Sequence, residues 1–163
     1  MLIRNEEPLD AAAIEQTIRD AFRGADHSSG TEAQIVNALR RAGALAVSLV
    51  ATDKGIVVGH IAISPVTMAE GDGWFGLAPV AVRPEWQHKG IGSRLITEAL
   101  SRIREHGAAG CVVMGDPGIY GKFGFVHDPS VTYADAPPPY FQILSFGPER
   151  PSGPVRYHAG FDT

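Results

Sequence analysis

Apolar residues follow two kinds of spacing along the chain, one typical of helices and one typical of strands. Apolar positions three and four residues apart predict helices over residues 10–22, 31–43 and 92–106. Short runs rich in β-branched and aromatic residues predict strands over residues 2–4, 45–52, 56–64, 74–82, 111–114, 125–126, 140–146 and 155–158, with one helical turn over 117–123. Two helices therefore precede most of the sheet.

The segment 92–106 carries the clearest helical pattern, with its apolar residues on one face and its charged residues elsewhere. It connects two predicted strands in a β-α-β unit, which we expect to be right-handed with parallel strands. The strands over 45–52 and 56–64 are joined by Asp-Lys-Gly, which predicts an antiparallel hairpin. Pro79 interrupts strand 74–82 and has no N–H to donate, so we expect a bulge or a loss of pairing there. The pattern predicts an α/β fold with a mixed sheet.

Length, charge and cysteine content exclude several classes of protein. The 163 residues, 44% of them apolar, are expected to form one domain over 1–163. A net charge of −4 argues against a nucleic-acid partner. We find neither an apolar run long enough to span a membrane nor a secretory signal, and we expect a cytoplasmic protein. Cys111 is the only cysteine and the histidines are scattered, so we predict no disulfide and no metal site.

The segment Gln87-His-Lys-Gly-Ile-Gly-Ser93 precedes the strongest predicted helix. Two glycines and the unpaired N–H groups of a helix N-terminus favour the binding of phosphate, and Lys89 adds positive charge. A dinucleotide-binding fingerprint requires a third glycine where Leu95 stands, and a Walker loop requires Gly-Lys-Ser/Thr, which is absent. By itself, the segment is compatible with a plain helix entry or with a phosphate site.

Residues 80–95 resemble the acetyl-CoA-binding motif of the GCN5-related N-acetyltransferases (GNAT family), with Gln-x-x-Gly-x-Gly in register. The segment Tyr120-Gly-Lys-Phe-Gly-Phe125 resembles the family's Tyr-x-x-x-Gly-Phe signature, and the order of predicted elements matches the family along most of the chain. Residues 110–125 and 155–158 look in particular like the YhbS-type branch. The resemblance implies a mostly antiparallel sheet in which one parallel pair of strands splays apart.

The resemblance also implies where acetyl-CoA binds. The backbone of the splayed strand would hydrogen-bond the pantetheine arm, and the glycine segment would hold the pyrophosphate. Asp116 stands where the family more often has Asn, and a carboxylate cannot donate a hydrogen bond as an amide can. The implied cofactor-binding residues are Val80, Ala81, Val82, Gln87, His88, Lys89, Gly90, Ile91, Gly92, Ser93, Asp116 and Tyr120.

The implied reaction is transfer of an acetyl group to a primary amine, of a small molecule or of a protein, by direct attack in a ternary complex. Tyr120 matches the family's general acid, and the Val80 N–H would polarise the thioester carbonyl. No base is evident. Glu32, Asp26 and His27 lie near the start of the second helix, and we take Glu32 as the candidate. The alternative is a regulatory module that binds acyl-CoA without turnover. The apolar segment 140–146 near a sheet edge predicts a homodimer.

Overall fold

The computed structural model describes residues 1–25, 28–134 and 136–163 of the chain, and it forms a mixed sheet with helices on both faces. The strands are β1 Leu2–Asn5, β2 Val47–Asp53, β3 Ile56–Glu70, β4 Trp74–Val82, β5 Gly110–Met114, β6 Val131–Thr132, β7 Phe141–Ser145 and β8 Ser152–Tyr157. The α-helices are α1 Ala11–Phe22, α2 Glu32–Arg41, α3 Ile91–Glu105 and α4 Pro117–Tyr120. Single turns of 3-10 helix occupy Pro8–Asp10, Pro84–Trp86, Gly121–Phe123 and Ala159–Asp162.

The main sheet has the order β1-β2-β3-β4-β5-β7. Its neighbouring strands are antiparallel except for β4 and β5, which are parallel. The C-terminal half of β3 continues beyond β4 and pairs with β8, which also pairs with β6. The predicted mixed sheet is therefore confirmed, with β4 and β5 as the parallel pair of the main sheet.

Helices cover the two faces of the sheet with separate apolar clusters. On one face α3 buries Leu95 and Ala99 against Ile61 of β3. On the other face α1 and α2 bury Ile14 and Val36 against alternate residues of the same strands. Removing apolar surface from water on both faces stabilises the sheet and fixes its register, because a slip by one residue would exchange the two faces.

The predictions are confirmed for elements that a local sequence pattern defines. They are wrong where a segment's structure depends on pairing with residues far away along the chain. Strand 74–82 has the predicted bounds, and the three long helices begin and end within two residues of the prediction. Residues 125–126 form only an isolated bridge between Val126 and Ile143, because Gly124 turns the chain and Phe125 enters the core. β3 is longer than predicted, because its last residues find a partner in β8. Strand β6 was not predicted.

Candidate active site at the split between two strands

The parallel strands β4 and β5 pair along only part of their length. Trp74, Phe75 and Gly76 pair with residues 110–112, and no pairing between the two strands is found beyond Gly76 within the described residues. From Leu77 onward, the backbone N–H and C=O groups of β4 on the side of β5 are therefore not paired with β5. We call the space between β4 and β5 beyond Gly76 the split.

Pro79 lies in the diverging part of β4. On its other side β4 pairs with β3, where Ile61 faces Val80 and Ile63 faces Leu77. Two residues of β4, Ala78 and Pro79, thus oppose the single residue between these partners on β3, which is a β-bulge. The predicted irregularity at Pro79 is confirmed, and it lies where β4 turns away from β5.

A glycine turn connects the end of β4 to α3. His88 and Gly90 both have positive φ, 64° and 83°, and Gly90 is the N-cap of α3 without a capping side chain. The first intrahelical bond at this end runs from the Arg94 N–H to the Gly90 oxygen, so the preceding N–H groups have no helical partner. A Cβ on Gly92 would touch only Val82 Cγ2, at 3.8 Å. A ligand can therefore approach this backbone closely, and the dipole of α3 favours a negatively charged ligand here.

Gln87 attaches the glycine turn to the strand that precedes it. Its Nε2 donates to the Val82 carbonyl oxygen at 2.9 Å, and its backbone N–H donates to the Pro84 oxygen at 3.3 Å. The side chain is thus turned back towards β4, which gives Gln87 a positioning role that the sequence did not reveal. Lys89 and Arg94 are exposed beside the turn, and neither forms a salt bridge within the described part of the chain.

Tyr120 lies at the same end of the split as the glycine turn. Because β4 and β5 are parallel, their C-terminal ends meet there, and the Tyr120 ring packs on Gly115, directly after β5. A Cβ on Gly115 would collide with that ring, and Phe125 meets it edge-on with centroids 6.0 Å apart. Burial raises the pKa of Tyr120, so the hydroxyl keeps its proton at neutral pH.

The corner between β5 and α4 is held by buried hydrogen bonds. Gln142, which is fully buried, donates from Nε2 to the Gly115 oxygen at 3.0 Å, and the Gly115 N–H donates to the Tyr140 oxygen at 2.9 Å. Asp116 Oδ1 accepts from the Gly118 N–H at 2.8 Å and caps α4. Asp116 therefore has a structural role, and its contact with a cofactor stays a prediction.

The candidate base Glu32 lies in the first turn of α2, where its carboxylate organises the preceding loop. It accepts from the Ser28 hydroxyl at 2.9 and 3.0 Å and from the Ser29 N–H at 3.1 Å. Glu32 and Phe22 line a cavity of about 540 Å³ beside this loop. The other candidates, Asp26 and His27, lie outside the described residues.

The sequence model of the acetyltransferase (GNAT) domain matches residues 45–127, which contain the split, the glycine turn and Tyr120. The chain belongs to the GNAT acetyltransferase family. The N-acetyltransferase YhbS of Escherichia coli K12 is 42% identical over 127 residues, covering 77% of this chain and 73% of YhbS. The resemblance to the YhbS-type branch is thus confirmed.

Two solved structures share the whole fold of this GNAT chain. A GNAT acetyltransferase from Brucella melitensis in complex with acetyl-CoA is 49% identical, with a TM-score of 0.87 and coverage of 99% of this chain and 97% of that one. E. coli YhbS in complex with CoA is 34% identical, with a TM-score of 0.86 and coverage of 99% and 92%.

Sequence reasoning missed Tyr157, which the GNAT fold brings to the base of the split. Its ring packs on Gly76, the last paired residue of β4, where a Cβ would lie 2.7 Å from Tyr157 Cε2. Burial, first of all, raises the pKa of Tyr157 well above its usual value, with smaller contributions from Cys111, Tyr133 and Tyr120. The sequence indicated only that residues 155–158 form a strand. It did not indicate that this strand pairs with β3 and so brings Tyr157 to Gly76.

Cys111 lies in β5 and is fully buried in the cluster beneath α3. Burial raises the pKa of its thiol far above the usual value, so it stays protonated and behaves as a small apolar side chain. Within residues 1–25, 28–134 and 136–163, no group of three or more His, Cys, Asp or Glu side chains could hold a metal ion, and no helix is long and apolar enough to cross a membrane.

Proposed function

We propose that this chain transfers the acetyl group of acetyl-CoA to a primary amine by direct attack in a ternary complex. The observation that carries the proposal is the position of three features at one end of the sheet. These are the unpaired edge of β4, the open N-terminus of α3 and the hydroxyl of the half-buried Tyr120 side chain. The unpaired edge can bind an extended arm that carries amides, the helix N-terminus can bind a phosphate, and the hydroxyl can transfer a proton. Acetyl transfer from CoA requires all three.

Acetyl-CoA would lie in the split with its pantetheine amides against the backbone of Val80, Ala81 and Val82. Its pyrophosphate would accept from the N–H groups of Ile91, Gly92 and Ser93, where the dipole of the 15-residue α3 favours negative charge. His88, Lys89 and Gly90 form the exposed turn before these donors. The relatives that bind acetyl-CoA and CoA share the entire fold, which supports this placement.

The reaction requires a neutral amine, because an ammonium has no lone pair. The amine nitrogen attacks the thioester carbonyl, the C–N bond forms, the C–S bond breaks, and the nitrogen loses a proton. Holding amine and thioester together contributes much of the acceleration. The Val80 N–H would stabilise charge on the carbonyl oxygen, and the Tyr120 hydroxyl would give its proton to the departing thiolate. Glu32 stays our candidate for relaying the amine proton.

A second function, binding of acyl-CoA without turnover, would use the same phosphate-binding turn. Tyr120 distinguishes the two, because a sensor requires no proton donor at the end of the split. The ring is positioned by Gly115 and Phe125, and its hydroxyl has no hydrogen bond among the described residues. A hydroxyl placed in this way favours catalysis.

Calorimetric titration with acetyl-CoA tests the proposed site. Gly92→Asp adds a carboxylate where the structure leaves room for a ligand, so we expect acetyl-CoA to bind at least about tenfold more weakly. Ser101→Asp adds the same charge on an exposed position of α3, away from the glycine turn, and serves as the matched control. Equal affinity of Gly92→Asp and the parent would place the site elsewhere.

A screen of primary amines for release of free CoA thiol then tests turnover. The proposal expects thiol release that depends on both the amine and the enzyme. Tight binding of acetyl-CoA without thiol release from any amine would contradict the enzyme and favour the sensor.

A further inference from the structure

The Tyr157 side chain closes the base of the split on the sheet face opposite α3. Its ring packs on Gly76, the last residue of β4 that pairs with β5, where an added Cβ would lie 2.7 Å from Cε2 and 3.2 Å from Cδ2 of the ring. The apolar cluster on which the ring packs includes Val112, the β5 residue that pairs with Gly76. Val112 alternates along β5 with Cys111, which lies beneath α3, so the ring covers the other face.

A cavity of about 250 Å³ lies on the far side of this ring. Its lining includes three aromatic rings, and the centroid of Tyr157 lies 4.9 Å from that of Tyr133 and 4.8 Å from that of Phe161. The remaining lining residues are Pro154, Val155, Arg156 and Asp162, of which the two charged ones are exposed. The volume is several times the roughly 30 Å³ that a water molecule occupies in the liquid. A single ring therefore separates the split from a space that can hold several carbon atoms.

The Tyr157 ring is held in place from two sides. Tyr157 pairs with Val66 of β3, and Val66 Cγ1 would lie 2.9 Å from the same added Cβ on Gly76. Phe161 meets the ring from the C-terminal turn of 3-10 helix, where its N–H donates to the His158 oxygen at 2.9 Å. Side chains packed in this way do not move aside without cost, so the ring is a fixed boundary of the split.

The acyl end of the donor would point towards this boundary. In the proposed function, the pantetheine follows β4 from Val82 towards Val80, and the thioester carbonyl accepts from the Val80 N–H. The acyl chain would then continue along β4 towards Gly76. The β3 partners of Val80 and Gly76 are Ile61 and Ser64, which are about 10 Å apart along the strand. A contact distance of about 4 Å at the ring leaves about 6 Å for the acyl group.

We propose that Tyr157 limits the length of the acyl group that this chain transfers. The inference rests on the proposed function and names a specificity-determining residue for its donor. An acetyl group fits between the thioester and the ring. An octanoyl chain, with seven carbon–carbon bonds of about 1.5 Å, would reach the ring before it is fully accommodated. Without the ring, the split would open into the cavity, and the end of a long chain would find an apolar space there.

The relative use of acetyl-CoA and octanoyl-CoA tests the limit, on an amine that the parent acetylates. We expect the parent to have at least about a hundredfold lower kcat/KM for octanoyl-CoA, because one methylene too many in a closed pocket already costs about 10–200-fold. Tyr157→Leu should bring the two values within about tenfold of each other, mainly by raising that for octanoyl-CoA. Equal use of the two donors by the parent, or a ratio that Tyr157→Leu does not change, would overturn the proposal.

Two control variants and a second test variant accompany this measurement. Tyr157→Phe keeps the ring and should keep the parent's ratio of the two donors. Tyr140→Leu makes the same change as the test variant at an exposed tyrosine and should also keep the ratio. Because removal of a buried ring can destabilise a fold, Tyr157→Met is the second test variant, and its flexible side chain fills gaps that leucine leaves. It should raise the relative use of octanoyl-CoA at least about tenfold, and an unchanged ratio would contradict the limit.

Calorimetry separates this proposal from the proposed function, because binding of an acyl-CoA requires no turnover. We expect the parent to bind octanoyl-CoA at least about tenfold more weakly than acetyl-CoA, and Tyr157→Leu to remove most of the difference. If this pattern is found and no amine is acetylated, the length limit is supported and the enzymatic function fails. If amines are acetylated and the parent binds and uses octanoyl-CoA as well as acetyl-CoA, the length limit fails and the function stands.

Discussion

A buried histidine outside the candidate active site should make the fold sensitive to mild acid. His60 of β3 is fully buried, and its Nε2 lies 2.8 Å from the Ser48 hydroxyl. Ser48 also donates to Glu6, which receives two further hydrogen bonds from Arg40, at 2.8 and 2.9 Å. His60 Nδ1 is buried and has no partner among the described residues. Protonation would add an N–H at Nδ1, where the described residues offer no acceptor.

The size of the effect follows from the pKa of His60. Burial lowers that pKa from 6.5 to about 4, while the charge of Glu6 opposes the shift and that of Arg40 adds to it. Below pH 6.5 the unfolded chain binds a proton here that the folded chain does not bind. Stability is therefore complete above pH 6.5 and decreases as the pH falls towards 4. At about 1.4 kcal/mol per pKa unit, the loss is about 2 kcal/mol between pH 7 and pH 5 and about 3 kcal/mol by pH 4.

Urea unfolding at pH 7, 6 and 5 measures this loss. His60→Gln retains a polar group that can bond to Ser48 but does not titrate, so its stability should fall about 2 kcal/mol less than that of the parent between pH 7 and pH 5. Glu6 does not contribute to the difference between pH 7 and pH 5, because it stays ionised in that range. Desolvation raises its pKa, but the hydrogen bonds from Arg40 and Ser48 outweigh desolvation and lower the pKa below 4.5. His127→Gln, at an exposed position, controls for loss of a histidine. Parallel pH profiles of parent and His60→Gln would refute the reasoning.

Three further predictions concern packing, the site and assembly. Gly110→Ala should destabilise the fold by about 2 kcal/mol in urea unfolding, because its Cβ would collide with Trp74 and lie 2.5 Å from the Leu144 oxygen. Gly147→Ala, whose Cβ would have no atom within 4 Å, should leave the stability unchanged, and equal stability of the two variants would contradict this packing. Gly115→Ala should lower kcat at least about tenfold, because it displaces the Tyr120 ring, and an unchanged kcat would argue against a role for that ring. Light scattering should show a homodimer formed through β7, which ends the main sheet, and a monomer at working concentrations would exclude it.

The sequence predicted the elements whose signals are local. Strand β4 was predicted with its bounds because a β-rich run lies between polar turns, and Pro79 marked its irregularity. Helix α3 was predicted because its apolar residues share one face and Gly107 ends it. The pairing of β3 with β8 joins residues 66–70 to residues 152–157, and a contact so distant along the chain leaves no periodic trace in either segment.

The same distinction applies to the candidate site. Gly90 and Tyr120 were found because their spacing resembles a family motif. The ring of Tyr157 reaches Gly76 only through the pairing of β8 with β3, and no local pattern indicates that contact. Glu32 was selected for its place at the start of α2, but its hydrogen bonds with Ser28 and Ser29 emerge only from the folded loop.

The kcat of Tyr120→Phe tests the central claim most directly, because the substitution removes only the hydroxyl. The ring contacts with Gly115 and Phe125 are retained, and the hydroxyl has no hydrogen bond within the described residues, so the melting temperature and acetyl-CoA affinity should not change. Tyr140→Phe, at an exposed tyrosine, is the control. If Tyr120 protonates the departing thiolate, kcat falls about 10²–10⁴-fold on an amine that the parent acetylates. A kcat within about threefold of the parent would contradict the account.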